Sequence, residues 1–380
     1  SWRGSGRMAD SPQGRQLARG TPSACRVHAA LACLQLCFGG GAVLGKFGVH
    51  GSNPALFALL REGIAGPLLC AGACAYSGRL APQLRDVPRV VAAALGIFSS
   101  QLFFILGLKL ADPVSGSAWQ PSQPVFTAAL AILVGYERAT ARKALSILLA
   151  VAGAVFLVLG GSRSQGPGAG LSGAALAGHI LFALNCLGTS VYVIVTKDML
   201  RRYSPVSVAG WANLGASATM LAAACLLNLV PPLLAFVCTD ADPAVQARCV
   251  EGPWSVPMEM AWPLCYWIVC CSMVAYLLMT WANQYAKPSV VSIYTVLQPC
   301  ASGLISAILI LVKGRAWAEA YGLEAPGLQD LGLLGVVLGL ALLFSYRGGS
   351  MEEAAGGGSR DVKRHALAAG AAAPDPPAAP

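Results

Sequence analysis

Residues 101–124 read QLFFILGLKLADPVSGSAWQPSQP, and residues 276–299 read YLLMTWANQYAKPSVVSIYTVLQP. Aligned at an offset of 175 without a gap, Ala111-x-Pro113 falls on Ala286-x-Pro288, and Gln123-Pro124 on Gln298-Pro299. Earlier in the chain, His28, Lys46 and Pro54 fall on His179, Lys197 and Pro205 at an offset of 151. The offsets differ by 24 residues, so the second copy holds an insertion, best placed at the polar stretch around Pro231–Trp262. Both matches run through apolar segments of membrane-spanning length, so the duplicated unit is a block of apolar helices.

The 380-residue chain is 56% hydrophobic and only 11% charged, whereas a soluble domain carries about 25% charged residues. This is the composition of a polytopic membrane protein. Ten segments are apolar over the length that crosses a bilayer: His28–Val49, Ala55–Ser77, Val87–Ala111, Pro113–Tyr136, Lys143–Gly161, Leu171–Lys197, Pro205–Val230, Trp262–Ala286, Pro288–Val312 and Leu328–Tyr346. Asp112-Pro113 suits an N-cap followed by proline at the first helical position, so a new segment opens there.

Five segments per copy is an odd number, so two tandem copies cross the membrane in opposite senses. The expected fold is all-α and integral to the membrane, with ten transmembrane helices arranged as two inverted five-helix repeats. Its expected parts are a disordered cytoplasmic leader (1–26), a first repeat (27–161), a linker (162–170), and a second repeat (171–347) with a non-cytoplasmic insertion (231–261). A Gly, Ala and Pro-rich cytoplasmic tail follows at 348–380, and its composition predicts disorder. Inverted halves place a solute site near the midplane and expose it to each side in turn, which implies transport.

Most of the 26 lysines and arginines fall on one side of this topology: the leader, Arg79, Arg85, Arg89, Arg138, Arg142, Lys143, Lys197, Arg201, Arg202, Lys287 and the residues from Arg347 onward. That bias places both termini in the cytoplasm. The +9 net charge is this bias, because the basic residues are spread over several loops and form no nucleic-acid-binding module. Ser1–Arg26 is Arg-rich and nearly free of acids, the composition of a leader or of a transit peptide. Cys238 and Cys249 share the insertion and are a candidate disulfide in an oxidising compartment, or two free thiols otherwise. Neither a metal-ligand spacing nor a cofactor motif is present, so no cofactor is expected.

Gly116, Gln120, Gln123 and Thr127 follow one another at spacings of 4, 3 and 4, on one helical face. At the repeat offset they read Val291, Thr295, Gln298 and Ser302, with Ser306 one turn further on. Pro124 and Pro299 leave the carbonyls of Gln120 and Thr295 without their helical hydrogen bonds, and with Pro121 they are the expected helix-distorting residues. Polar groups facing lipid are costly, so both stripes should line a cavity or a helix interface. Gln120, Gln123, Thr127, Thr295, Gln298 and Ser302 are the candidate solute contacts. For a single Ser or Thr, an interhelical hydrogen bond is the plainer reading. A third stripe, Asn185, Thr189, Tyr192 and Thr196, adds Asn185 and Tyr192 as candidates.

Lys46 and Lys109 lie within a turn of a membrane boundary and should snorkel. Arg61 and Glu62 lie deeper, where a charge is costly. Adjacent on a helix, they are expected to point in different directions and not to pair. Arg61 should meet a substrate or a partner acid, and Glu62 a basic partner or a coupling proton. An Arg facing the cavity would favour a carboxylate or phosphate. His28 and His179 coincide in the repeat but begin helices at opposite faces, so they read as interfacial residues. His-x-x-Glu-His, Gly-x-Ser-x-Gly and P-loop patterns are all absent, and an enzyme is not expected.

Several short motifs occur in a specific order: Leu34-Gln35 and Lys46, Arg61-x-x-Ile64-Ala65, Phe104 through Lys109, Gln123 through Thr127, Tyr136-Glu137, Lys197, Tyr203-Ser204-Pro205, and Pro288 through Ser292. This arrangement resembles the EamA-type drug/metabolite transporter superfamily and, within it, the plant Walls-Are-Thin-related, nodulin-like group. Glu62 after the motif arginine, Lys313-Gly314-Arg315 and the long insertion depart from that pattern. Repeat and resemblance together lead to a transmembrane transporter of a small organic metabolite, such as an amino acid, an auxin-like organic acid or a related solute, working by alternating access. A nucleotide-sugar or sugar-phosphate antiporter of the same superfamily and a non-transporting receptor or scaffold are the alternatives. The expected partners are the solute and the lipid bilayer, with proton coupling and a homodimer left open. The expected location is the plasma membrane, with endomembrane or plastid envelope as alternatives.

Overall fold

The computed structural model describes residues 22–49, 52–78, 81–110, 116, 119–137, 173–239 and 243–314, and among these every regular element is a helix. The first group is α1 (Ala24–Val49), α2 (Pro54–Ser77), α3 (Val87–Leu110) and α4 (Gln123–Leu133). The second is α5 (Gly173–Met199), α6 (Pro205–Leu229), the short α7 (Pro231–Val237) and α8 (Pro243–Glu251), then α9 (Met258–Tyr285) and α10 (Pro288–Lys313). Seven of these helices, α1, α2, α3, α5, α6, α9 and α10, are long and apolar enough to cross a membrane. Over its described residues the protein is all-helical, and it is a multi-pass membrane protein.

The expected fifth and tenth segments, the linker, the tail, nearly all of the leader and the Asp112-Pro113 start lie outside the described residues. The insertion forms α7 and α8, and α9 starts at Met258, ahead of the expected Trp262, because Pro257 supplies the extended residue before its first turn. The described part of the fourth segment is broken by a 3-10 turn at Gln120–Ser122 before α4.

Repeat-equivalent residues start helices alike. Asn53, ahead of Pro54, accepts from the N–H groups of Ala55 (2.9 Å) and Leu56 (3.3 Å) through its side chain. Ser204, ahead of Pro205, accepts from the N–H of Ser207 at 3.2 Å. In both, a side-chain oxygen satisfies N–H groups that a helix leaves open, and the proline occupies a position whose missing N–H costs nothing.

The packing register fixes the helix directions. α2 and α6 run antiparallel, joined by Asn53 with Asn228 at one end (2.9 Å), Ser217 Oγ donating to the Glu62 carbonyl in the middle (2.5 Å), and Ser207 with Ser77 at the other (3.0 Å). α3 and α5 are antiparallel and touch at glycine: a Cβ at Gly96 would stand 2.8 Å from the Gly188 oxygen, and one at Gly188 2.7 Å from that of Gly96. Such close approach is how membrane helices gain contact without a hydrophobic driving force between them. α1 lies parallel to α10, through Gln35–Gln298 and Gly39–Ser302, and antiparallel to α9, through Phe38–Tyr276 and Gly48–Pro263. α5 lies parallel to α9, through Tyr192–Thr280 and Lys197–Asn283, and parallel to α4, through Gln120–Asn185 and Thr127–Ser190. Each of four repeat-equivalent pairs, α1/α5, α2/α6, α3/α9 and α4/α10, is therefore antiparallel.

Two polar clamps secure the end of the bundle at which α2, α5 and α9 finish. Lys197 donates from Nζ to the carbonyls of Asn283 (2.5 Å) and Ala286 (2.6 Å), satisfying acceptors left open at the end of α9. Asp86, in the 3-10 turn Leu84–Asp86 before α3, accepts from Arg89 (2.9 Å), Arg202 (2.8 Å) and Tyr203 (2.8 Å), tying α3 to the α5–α6 connection.

Candidate functional site

A cavity of about 500 Å³, counting its open mouth, lies where α1, α2, α3, α5, α9 and α10 meet the turn before α4. Its polar lining is Arg61, Ser100, Gln101, Gln120, Gln123, Asn185, Thr189 and Gln298, and its apolar lining is Phe38, Phe104, Trp267, Tyr276 and Met279. It combines an apolar wall with a few convergent polar groups, the usual make-up of a small-molecule site.

Local backbone irregularities position these groups. Proline interrupts the helical ladder at the same place in both copies, giving 3-10 turns at Gln120–Ser122 and Tyr294–Val296. These turns set the faces on which Gln120, Gln123 and Gln298 point inward. Gln120 donates from Nε2 to Asn185 Oδ1 at 3.0 Å, and Gln298 donates to Gln35 Oε1 at 2.6 Å. Asn185 donates onward to the Ser100 carbonyl at 2.5 Å. Within α9, residues Trp267–Ala275 form a π-helix, a wider turn that recurs at functional sites. It brings Trp267 and Ser272 toward α2.

At that wall the adjacent charges do pair, contrary to the expectation from helix geometry. Arg61 Nε stands 3.4 Å from Glu62 Oε1, and both side chains are buried, at 2% and 0% exposure. Ser272 explains how neighbours meet: Arg61 Nε donates to its hydroxyl at 2.7 Å, and that hydroxyl donates to Glu62 Oε1 at 2.7 Å. The guanidinium also lies 4.2 Å over the Trp267 ring, a favourable seat for a desolvated cation. Glu62 is the partner acid of Arg61, and Glu62 Oε2 makes no hydrogen bond within the described residues.

The remaining expected contacts divide. Gln120, Gln123, Gln298, Asn185 and Arg61 line the cavity. Thr127, Thr295, Ser302 and Tyr192 do not: Thr127, Ser302 and Tyr192 bond across helix interfaces, and Thr295 bonds within α10. Thr127 Oγ1 shares hydrogen bonds with Ser190 (2.9 Å) and Ser292 (2.7 Å), and Thr295 donates to the Ser292 carbonyl (2.8 Å). Ser302 donates to the Gly39 carbonyl (2.9 Å), and Tyr192 pairs with Thr280 (2.5 Å). A stripe longer than the cavity continues into the helix interface, which is why its outer members serve packing. Cys238 and Cys249 are joined as a disulfide in the insertion. The side chains of Lys46 and Lys109 lie outside the described residues. Sequence reasoning missed Phe38, Ser100, Gln101, Phe104, Trp267, Tyr276 and Met279; Gln101, the first residue of the repeated block, carried a visible polar signal.

Comparison with known proteins places this architecture. Residues 27–159 match the EamA-like transporter family. The chain is 27% identical to the uncharacterized transporter YyaM of Bacillus subtilis (strain 168) over 43% of its own length and 53% of that protein, so this match spans about half of the bacterial relative. It is 23% identical to Protein WALLS ARE THIN 1 of Arabidopsis thaliana over 91% of this chain and 88% of the plant protein. A crystal structure superposes with a TM-score of 0.55 at 19% identity, covering 83% of this chain and 95% of its own, which is a likeness of fold. With residues 27–159 matching the EamA-like transporter family and the plant protein aligned along most of its length, the chain is similar to the EamA-type transporters and to their Walls-Are-Thin-related plant group.

Proposed function

We propose that this protein carries a small organic solute across a membrane by alternating access between two inverted five-helix repeats. The observation that carries the reading is the position of Gln123 and Gln298. They are repeat equivalents on antiparallel helices, and both line one cavity. The antiparallel relation of all four repeat-equivalent helix pairs supports the same symmetry. A site between inverted halves is the arrangement that rocking motion exposes to each side in turn.

The cavity's charge favours a neutral or zwitterionic solute, or a monocarboxylate, over a sugar phosphate. Arg61 is the one cation lining it among the described residues, and Glu62 offsets that charge. An amino acid or an auxin-like acid fits this balance better than a dianionic phosphate. Glu62 is the proposed coupling residue: a proton there changes whether Arg61 has a counter-charge. Gln101 on α3 and Tyr276 and Cys271 on α9 are the other polar or titratable groups around this pair.

The test is uptake by proteoliposomes holding the full chain, supplied with amino acids, indole carboxylates, nucleobases and sugar phosphates, with and without a proton gradient. Uptake of one of the first three classes, weakened by Gln123→Ala and by Gln298→Ala, is the expected result. Flux of no class would favour a receptor or scaffold, and exchange dependent on internal phosphate would favour the antiporter. Either outcome overturns the proposal.

A further inference from the structure

The repeat that aligns Gln123 with Gln298 also aligns Trp119 with Tyr294 and His28 with His179. These four residues form two pairs. Near the start of α1, His28 Nδ1 shares a hydrogen bond with the Tyr294 hydroxyl on α10, and the two rings stack with centroids 5.8 Å apart. Trp119, ahead of α4, donates from Nε1 to His179 Nδ1 on α5 at 3.0 Å, with ring centroids 6.4 Å apart. Each pair is the image of the other under the repeat. Because α1 runs antiparallel to α5, the pairs stand at opposite ends of the bundle.

They also occupy the same layer of the two interfaces. One to two turns inward from His28–Tyr294, α1 and α10 are joined by Gln35–Gln298. On the other interface, Gln120, next to Trp119, bonds Asn185, which lies one to two turns inward from His179 on α5. Gln298, Gln120 and Asn185 line the cavity. Each histidine lies about 10 Å outside its helix's amide, by the helical rise. From the end of the bundle toward the cavity, both interfaces thus carry the same stack: an imidazole against an aromatic ring, then an amide against an amide.

We propose that the two ring pairs are the gates of the solute path, His28–Tyr294 holding one end shut and Trp119–His179 the other. Each parts when the cavity opens toward its own end. The proposal rests on the alternating-access reading above. Alternation needs an element with two discrete arrangements whose populations can be biased. A ring pair held by one hydrogen bond is such an element, and its image at the far end lets one contact be exchanged for an equivalent one. The images differ in one respect. An indole N–H only donates, so His179 accepts through an unprotonated Nδ1, whereas a tyrosine hydroxyl both donates and accepts.

The test introduces Phe104→Cys in the cavity wall of the full chain, in right-side-out and inside-out vesicles. A membrane-impermeant maleimide is applied, and modification at position 104 is quantified by peptide mass spectrometry. The Phe104→Cys parent should be modified from both sides. Adding Tyr294→Phe should raise the rate from the His28 end and lower it from the other, shifting the ratio about five- to tenfold, the effect of one hydrogen bond. Adding His179→Phe, or Trp119→Phe in its place, should shift the ratio the opposite way, and combining Tyr294→Phe with His179→Phe should return it to the parental value. Ratios that stay constant, or that move in the same direction for both pairs, overturn the gates while leaving alternating access standing. A disagreement between His179→Phe and Trp119→Phe also overturns them. A parent modified from one side alone overturns alternating access and the gates with it.

Discussion

Arg61 and Glu62 are consecutive on α2, yet their side chains meet at 3.4 Å through the hydroxyl of Ser272 on α9. The contact joins a helix of the first copy to a helix of the second at the cavity wall. Burying two charges is costly unless they are paired and hydrogen-bonded. Here Ser272 and the Trp267 face supply part of that compensation, while Glu62 Oε2 is left without a hydrogen bond among the described residues. A buried pair of this kind lends itself to linkage, because removing either charge changes what the cavity presents to a solute.

Glu62→Gln should make transport indifferent to pH. With Glu62 neutral, the Arg61 charge is unanswered and attracts a carboxylate more strongly, so a proton and an anionic solute bind together and each raises the affinity for the other. The glutamine fixes the neutral state. Proteoliposome uptake of a transported monocarboxylate should persist in this variant, while its dependence on an imposed pH gradient disappears. Gradient-driven uptake equal to that of the unmodified protein would place coupling elsewhere.

Gln298→Ala and Thr127→Val should separate recognition from packing. Gln298 lines the cavity, so its loss should raise the KM for the transported solute about five- to tenfold, the effect of one lost hydrogen bond. Thr127 binds Ser190 and Ser292 away from the cavity. Its replacement should leave KM unchanged and lower stability by about 0.6 kcal/mol per interhelical bond lost. Uptake kinetics alongside thermal unfolding in detergent distinguish the two.

The residues that were legible in the sequence are those the duplication marks. Gln123 and Gln298 stand out because a glutamine beside a proline recurs at the same offset, and both line the cavity. Phe104, Trp267 and Tyr276 carried no such mark. In a membrane helix the lipid face and the core face are both apolar, so hydrophobic periodicity does not report which way a ring points. The Arg61–Glu62 contact was illegible for another reason. Side-chain directions on one ideal helix do not anticipate a third group, Ser272, delivered by a π-turn in a helix some 200 residues away. The helix starts near Pro54 and Pro205 were readable because the repeat aligns the two prolines, whereas the caps Asn53 and Ser204 emerge only from the structure.

Gly96→Val should weaken the bundle more than most single changes. The new side chain would meet the Gly188 carbonyl and the backbone of Tyr192, neither of which can rotate away. Forcing α3 from α5 also disturbs Asn185, which bonds Ser100 on α3 and Gln120 at the cavity. Overpacking of this kind costs about 1–3 kcal/mol. The variant should lose thermal stability, and the fraction that stays folded should show impaired uptake. Gly72→Val, where nothing lies within 4 Å of the added Cβ, is the matched control and should be close to neutral.

Reducing Cys238–Cys249 should loosen the insertion without dissolving the bundle. The bridge closes a loop between cysteines 11 positions apart, and by chain entropy a loop of that length is stabilised by about 3 kcal/mol. The cysteines belong to the turn after α7 and to α8, whereas the cavity is lined from other helices. The insertion does reach the bundle: Val237 is buried against Ala55, Ala58, Met220 and Ala224, and Asn53 Nδ2 donates to the Pro253 carbonyl at 3.2 Å, close to its contact with Asn228. Cys249→Ser should therefore make the insertion more susceptible to protease while leaving uptake and the unfolding of the remaining helices nearly unchanged. The sidedness of reduction tests the topology as well. A membrane-impermeant reductant should open the disulfide only from the face opposite the arginine-rich loops, and opening it from the arginine-rich face would reverse the orientation assigned from charge.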